Sequence, residues 1–302
     1  MNVLNRYVKF YGLLYDRKWL YYRFLSPIRY MVRKRAYSAL SHYLSKPSRS
    51  MVEPYKDLVV SFTSFPARID NVWQVVECML RQTIKPDKIV LWLSKEQFPD
   101  VNSLPETLRE RIEDVFEVRF VDGDIRSHKK YYYAAKEFRD KMVFLIDDDI
   151  YYPTDIIEKS LKVFQDNKKT VVCNYGRKIT FDQSGKHLPY SAWRDDINHT
   201  DGTDLFLGTG GGTLLRFSDL YPDITDINLA LSLTPTADDI WINTMIRLAN
   251  LKVIPVSNGF FLPIEEENKQ SLMSVNLGQS MNDQQLNAIE SKYGPIFNKK
   301  YE

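Results

Sequence analysis

The stretch Met142-Val143-Phe144-Leu145-Ile146-Asp147-Asp148-Asp149-Ile150-Tyr151-Tyr152-Pro153 runs five apolar residues directly into three consecutive carboxylates. A short apolar run bounded by polar residues reads as a buried strand. Three neighbouring carboxylates at a strand end repel one another, and burying them is costly unless a cation compensates. Without such a cation the triplet reads as a solvated acidic turn or a helix cap. A divalent metal is the simplest partner: hard oxygen ligands suit Mg²⁺ or Mn²⁺, which also bridge the oxygens of a diphosphate. Such a metal neutralises charge on a departing nucleoside diphosphate as a Lewis acid.

Working outward, the chain alternates apolar runs with amphipathic stretches. DLVVSF (57–62), KIVLWLS (88–94) and EVRFV (117–121) read as strands, with helical patterns over 70–82, 105–114 and 129–140. Downstream lie a helix over 154–165, a strand over 170–175 and an irregular polar segment through Thr203. A glycine loop (208–212), a helix from near Asp238, a strand over 252–256 and a polar tail from Glu265 follow. Strands separated by helices predict an α/β fold with a mainly parallel sheet, and ligands bind beyond the carboxyl ends of its strands.

Four further segments occupy such positions. SFTSFPARI (61–69) follows the first strand, and its small-residue turn offers Thr63, Ser64 and Arg68 to a nucleobase or ribose, although a turn needs the same residues. In DGDIRSHKKYYY (122–133), a helix start would aim Lys129, Lys130 and the helix dipole at the strand ends, which suits a diphosphate. GTGGGTLLRF (208–217) permits close approach of backbone to a ligand at Gly210 and Gly211, or simply a tight turn. TADDIW (236–241) opens a helix with two acids, whose plain reading is capping.

Taken in order, these segments over about residues 57–262 resemble the GT-A glycosyltransferases, a Rossmann-like fold with a mixed, mainly parallel sheet flanked by helices. Asp147 and Asp149 match the two acids of that family's D-x-D motif. The resemblance implies a nucleotide-sugar donor, expected to be UDP-linked, with Asp149 on the metal, Asp147 on ribose or metal-bound water, and Asp148 beside the donor. It further implies that Asp124 meets base or ribose, that the basic segment meets the diphosphate, and that the glycine loop lies near donor sugar and acceptor. Asp239 would then be the base of an inverting enzyme, or orient substrate in a retaining one, with Asp238 as an acceptor or sugar contact. Many members add a histidine ligand after the acidic pair, but here no histidine follows His199. Asn258 in PVSNGFF, or water, is expected in its place, and His187 and His199 are candidates for the acceptor side. The likeness is closer to bacterial capsule or lipopolysaccharide-type transferases, whose acceptors are commonly lipid-linked glycans. A sugar nucleotidyltransferase and a non-catalytic, membrane-peripheral carbohydrate- or nucleotide-binding module are the rival readings.

Charge divides the chain at about residue 50. Eleven basic residues against a single acid, Asp16, give residues 1–50 a charge of +10, which leaves −8 for residues 51–302. This basic, aromatic extension reads either as interfacial helices at an anionic lipid surface, through residues 1–45, or as helices packed on the acidic body; a nucleic-acid arm is the weaker option and no nucleic-acid partner is expected. Residues 46–50 read as a linker ahead of a catalytic domain over 51–302. Cys78 and Cys173 sit in apolar runs as core residues, and no uninterrupted apolar span precedes Arg35. The expectation is a cytoplasmic protein, peripheral on the inner face of the membrane.

Overall fold

The computed structural model describes residues 3–15, 25–46, 53–165, 169–194, 204–256, 261–264 and 281–299. Two helices come first, α1 (Val3–Tyr15) and α2 (Ser26–Ser45). The body opens with β1 (Tyr55–Thr63), α3 (Val72–Leu80), β2 (Pro86–Ser94), α4 (Glu106–Arg109), β3 (Phe116–Val121), α5 (Lys129–Glu137) and β4 (Met142–Leu145). It continues through β5 (Ile150–Tyr151), α6 (Ile156–Gln165), β6 (Thr170–Cys173), β7 (Gly176–Lys178), β8 (Leu205–Leu207) and β9 (Thr213–Arg216). Helices α7 (Ile227–Leu233) and α8 (Asp238–Leu248), strands β10 (Lys252–Pro255) and β11 (Leu262–Pro263), and helix α9 (Met281–Tyr293) complete it.

The central sheet has seven strands in the order β10-β6-β9-β4-β1-β2-β3. All neighbours are parallel except β9, which runs antiparallel between β4 and β6. The mixed, mainly parallel sheet expected from sequence is therefore present. Its core strands are buried on both faces, as continuous apolar runs require. Leu58, Val60 and Phe62 pack with Phe144, α3 and α6 on one side, while Val59, Val143 and Leu145 pack with α5 and α8 on the other. Strand order reverses at β1, whose successors β2 and β3 lie to one side and β4 to the other. In open α/β sheets that reversal opens a crevice at the carboxyl ends of the strands, here after Thr63 and after Leu145.

Helices α1 and α2 do not stand apart from this core. Leu4, Val8, Ala36, Leu40 and Leu44 are buried in the same cluster as β1 and α3. Arg81 donates to the Leu44 carbonyl at 3.2 Å, and Asn5 Oδ1 accepts from the Thr154 amide at 3.0 Å. Three differences from the sequence reading have physical causes. α4 is one turn rather than ten residues, because only Leu108 on it is buried. β9 was hidden in the flank of a glycine loop, being only four residues long. α9 lies in the polar tail, where Leu286 and Ile289 supply its small apolar face.

Candidate active site

The residues after β1 and β4 meet, as the crevice requires. Ser64 Oγ donates to Asp148 Oδ2 at 2.5 Å, and Arg68 donates to Asp148 Oδ1 at 2.7 Å while lying 2.9 Å from Asp149 Oδ2. Asp148 is buried, and Ser64 and Arg68, the candidates for a nucleoside, are its partners. Thr63 is likewise occupied, its hydroxyl donating to the Trp92 carbonyl at 2.8 Å. Asp147 and Asp149, by contrast, keep 41% and 34% of their side chains exposed. Alternate residues of the triplet thus face outward and the middle one inward.

The lysines expected to meet a diphosphate are both paired with carboxylates. Lys129 is buried against Asp124, which also accepts from Gln97 at 2.9 Å. Lys130, 3% exposed, places its ammonium 2.8 Å from Asp147 Oδ1 and 3.0 Å from Asp238 Oδ2. One buried cation therefore ties the triplet to the acidic pair. Burial disfavours the ammonium, but Asp147, Asp238 and Asp239 more than offset this and hold it protonated well above its ordinary range.

The acidic pair lies in the first turn of α8, and neither acid caps it: the capping position is Ala237. Thr209 donates its amide to Asp239 Oδ1 at 2.9 Å, and its hydroxyl lies within reach of both Asp239 and Asp238. Asp238 is buried yet its pKa is lowered, because the Lys130 ammonium outweighs desolvation. Asp239 is half-buried and pushed up to about 6 by desolvation and by Asp238. His128, whose Nε2 meets the Thr234 carbonyl at 2.7 Å, is held neutral by burial and fixes the loop ahead of the pair.

The glycine loop serves the carboxylates rather than lying open. A Cβ at Gly210 would overlap the Asp147 carboxylate, and one at Gly211 would overlap Tyr175. Gly212 adopts φ +98°, the left-handed region that glycine enters without strain. Tyr152 closes the arrangement, its hydroxyl accepting from the Asp147 amide at 2.9 Å and donating to the Gly210 carbonyl. Thr209 and Tyr152 were not singled out from sequence. Their signal was adjacency alone, one residue before the glycines and three after the triplet.

Asp147 and Asp149 fit a hard divalent cation by their chemistry. Five carboxylates surround Arg68 and Lys130, and Asp149 is pushed up to about 7 by desolvation, Asp148 and Asp147 despite Arg68. Among the described residues no three acids, histidines or cysteines form a self-sufficient metal site. Water and substrate oxygens would supply the remaining ligands, as Mg²⁺ sites commonly use. Asn258 and His199 lie outside the described residues. His187 packs 3.3 Å from Glu290 of α9, with 7% of its side chain exposed.

The crevice at the switch point is thus lined by Asp147 and Asp149 of the triplet and by the acidic pair Asp238–Asp239. The profile of the glycosyl transferase family 64 domain matches residues 59–281, and the chain belongs to that family. No curated protein matches the sequence. Solved structures share the fold, among them the mannosyltransferase PcManGT from Pyrobaculum calidifontis in complex with GDP-Man and Mn²⁺ (TM-score 0.51, 14% identity, 89% of this chain and 73% of that one). TarS from S. aureus in complex with UDP matches at a TM-score of 0.43 and 13% identity, over 68% of this chain and 59% of that one, too distant to carry weight. The chain is a GT-A-type glycosyltransferase.

Proposed function

We propose that the enzyme moves a sugar from a nucleotide-sugar donor to a glycan acceptor, with Mn²⁺ or Mg²⁺ and the donor diphosphate held at Asp149 and Asp147. The supporting observation is the surplus of carboxylate in one crevice, with Asp149 raised to about 7 and Asp239 to about 6 although Arg68 and Lys130 stand beside them. A bound divalent cation would supply Lewis-acid stabilisation of the leaving diphosphate. Lys130 keeps Asp147 in place, Arg68 and Ser64 anchor the turn through Asp148, and Gly210 leaves room for the Asp147 carboxylate. Asp239, half-exposed and near neutrality, meets the reacting sugar or the acceptor hydroxyl. As a base it requires an inverted product; a retained anomer, read by NMR, assigns it to orienting the substrate.

A screen of nucleotide sugars for metal-dependent release of nucleoside diphosphate tests the reaction. UDP-sugars head it, joined by GDP-mannose because PcManGT binds that donor. Release that needs Mn²⁺ or Mg²⁺ supports the reading, and release unaffected by chelation removes the metal from it. Asp239→Asn is expected to reduce transfer more than donor binding.

The acceptor we propose is a lipid-linked glycan of surface-polysaccharide synthesis, met at the cytoplasmic face of a membrane. Support comes from α1 and α2, where Val3, Phe10, Ile28, Tyr30 and Met31 are exposed beside Arg6, Lys9, Lys34 and Arg35, with no acid in either helix. Exposed apolar residues rimmed by cations suit an anionic lipid surface. Among the described residues no helix is long and apolar enough to cross a membrane. Wild-type protein is expected to float with phosphatidylglycerol vesicles and the Ile28→Glu, Met31→Glu double variant to stay behind. Wild-type protein that never floats excludes the membrane contact.

A further inference from the structure

Asp239 lies in the first turn of α8, yet the capping residue of that helix, Ala237, has no side-chain group to hold its start. The place of the acid depends instead on what the backbone around it is tied to. Two buried carboxamides supply those ties. Asn243, 2% exposed, lies one turn further along α8, and Gln285, 3% exposed, lies on α9.

Asn243 acts from the side of the glycine loop. Its Oδ1 accepts from the Leu207 amide at 3.0 Å, and its Nδ2 donates to the Leu207 carbonyl at 2.8 Å and to the Asp239 carbonyl at 2.7 Å. One carboxamide thus exchanges two bonds with the last residue of β8, as a paired strand would, while also holding the backbone of Asp239. Thr209 follows Leu207 by two residues and is thereby brought opposite Asp239, to which it gives its amide at 2.9 Å and its hydroxyl.

Gln285 acts from the opposite side. Its Oε1 accepts from the Thr236 amide at 3.1 Å, and its Nε2 donates to the Thr236 hydroxyl and to the Met281 carbonyl, each at 3.1 Å. Thr236 stands three residues ahead of Asp239, in the stretch whose Thr234 carbonyl meets His128. The Tyr293 ring of α9 lies 6.4 Å from that of Trp241, and Leu286 and Ile289 share the buried cluster of Ile240, so α9 packs along the start of α8. Catalytic groups keep their geometry when their supports are locked by packing and hydrogen bonds in this way.

We propose that Asn243 and Gln285 are positioning residues, which together seat Asp239 on Thr209 and fix where its carboxylate meets the reacting sugar or acceptor hydroxyl. The proposal rests on the reading of Asp239 as the working acid of a transferase. It gives α9, in the polar tail, a part in the reaction besides its part in the core. Displacing such a group slows the step that uses it. Binding of the donor diphosphate, which belongs to the triplet, is left as it was.

The test uses the full chain with Asn243→Leu and Gln285→Met, each close to the original residue in size and without its carboxamide. Hydrogen exchange of the Thr209 amide is expected to quicken about tenfold in both, together with a kcat for transfer lowered about tenfold, while the amides of β1 and β4 keep wild-type rates. Donor KM and the Mn²⁺-supported binding of UDP or GDP should stay within about twofold, the signature of an interaction used in the reacting step alone. If Asn243→Leu does not fold, Gln285→Met carries the test, since it leaves the tie to Leu207 intact. Unchanged Thr209 exchange, unchanged kcat, or exchange that rises equally across β1 and β4 overturns the proposal. Wild-type protein without metal-dependent donor turnover breaks the transferase reading instead, and Thr209 exchange then still decides whether the two carboxamides seat Asp239.

Discussion

The triplet Asp147–Asp149 and the pair Asp238–Asp239 share one lysine but solve the same electrostatic problem differently. The pair opens helix α8, where unsatisfied amides and the helix dipole favour negative charge, and Thr209 adds an amide and a hydroxyl. With Lys130 beside it, Asp238 stays ionised although buried. The triplet follows a strand end, and Arg68 with part of Lys130 must serve three carboxylates. Asp148 is raised despite its salt bridge, because burial outweighs Arg68, and Asp149 is raised to about 7. Asp238 is compensated from within the protein, whereas Asp149, like Asp239, stays raised despite the cation beside it.

Substitutions at the two places should therefore have opposite characters. The largest effect on turnover is expected from Asp149→Ala, a loss of about 10³-fold in metal-dependent donor hydrolysis, as removal of a transition-state electrostatic contact typically gives. Its melting temperature should hold or rise, since a strained carboxylate is removed. Gly210→Ala should lower turnover about 10²-fold by displacing the Asp147 carboxylate, because misplacement of a reacting constellation by about 1 Å costs that much.

The pair, in contrast, should show its importance in stability. Asp238→Asn takes a charge partner from fully buried Lys130 and is expected to cost about 3 kcal/mol in denaturant unfolding. Asp239→Asn relieves repulsion with Asp238 and should stay within about 1 kcal/mol of wild type. Equal destabilisation by the two substitutions would break the contrast between a structural and a working acid.

Two pH dependences follow, both smaller. If Asp239 acts as a base it must be deprotonated, so turnover should fall about tenfold per pH unit below its value of about 6. Asp149 has a folded value of about 7 against an ordinary 3.8, so the folded chain holds an extra proton between them. Stability from this group is then lost as pH rises through that window, and added Mn²⁺ should raise the melting temperature more at about pH 8 than at about pH 5.5. A pH-independent Mn²⁺ shift would detach the metal from Asp149.

The sequence carried the sheet and the position of its acids because both rest on local pattern: apolar runs for β1, β2, β3 and β4, and carboxylates directly after the last of these. It did not carry the direction of the side chains. Lys129 and Lys130 read as open phosphate ligands, yet their ammonium groups turn inward to Asp124, Asp147 and Asp238, contacts set by how α5 packs under β1 and β4. Gly210 read as room for a ligand and is room for Asp147. Thr209 and Tyr152 carry no motif of their own, since their roles arise only when the glycine loop folds back across residues far apart in the chain. Antiparallel β9 was invisible for the same reason: nothing local in Thr213–Arg216 says which neighbour it will pair with.

Calorimetric titration of UDP and GDP, with and without Mn²⁺, into wild type and Asp149→Ala at about pH 8 tests the central assignment most directly. Tightening of at least tenfold by Mn²⁺ is expected in the wild type and none in the variant, since loss of a metal-site group typically costs about 10–100-fold in metal affinity. Equal, Mn²⁺-enhanced binding by both proteins would contradict a cation held between the triplet and the diphosphate.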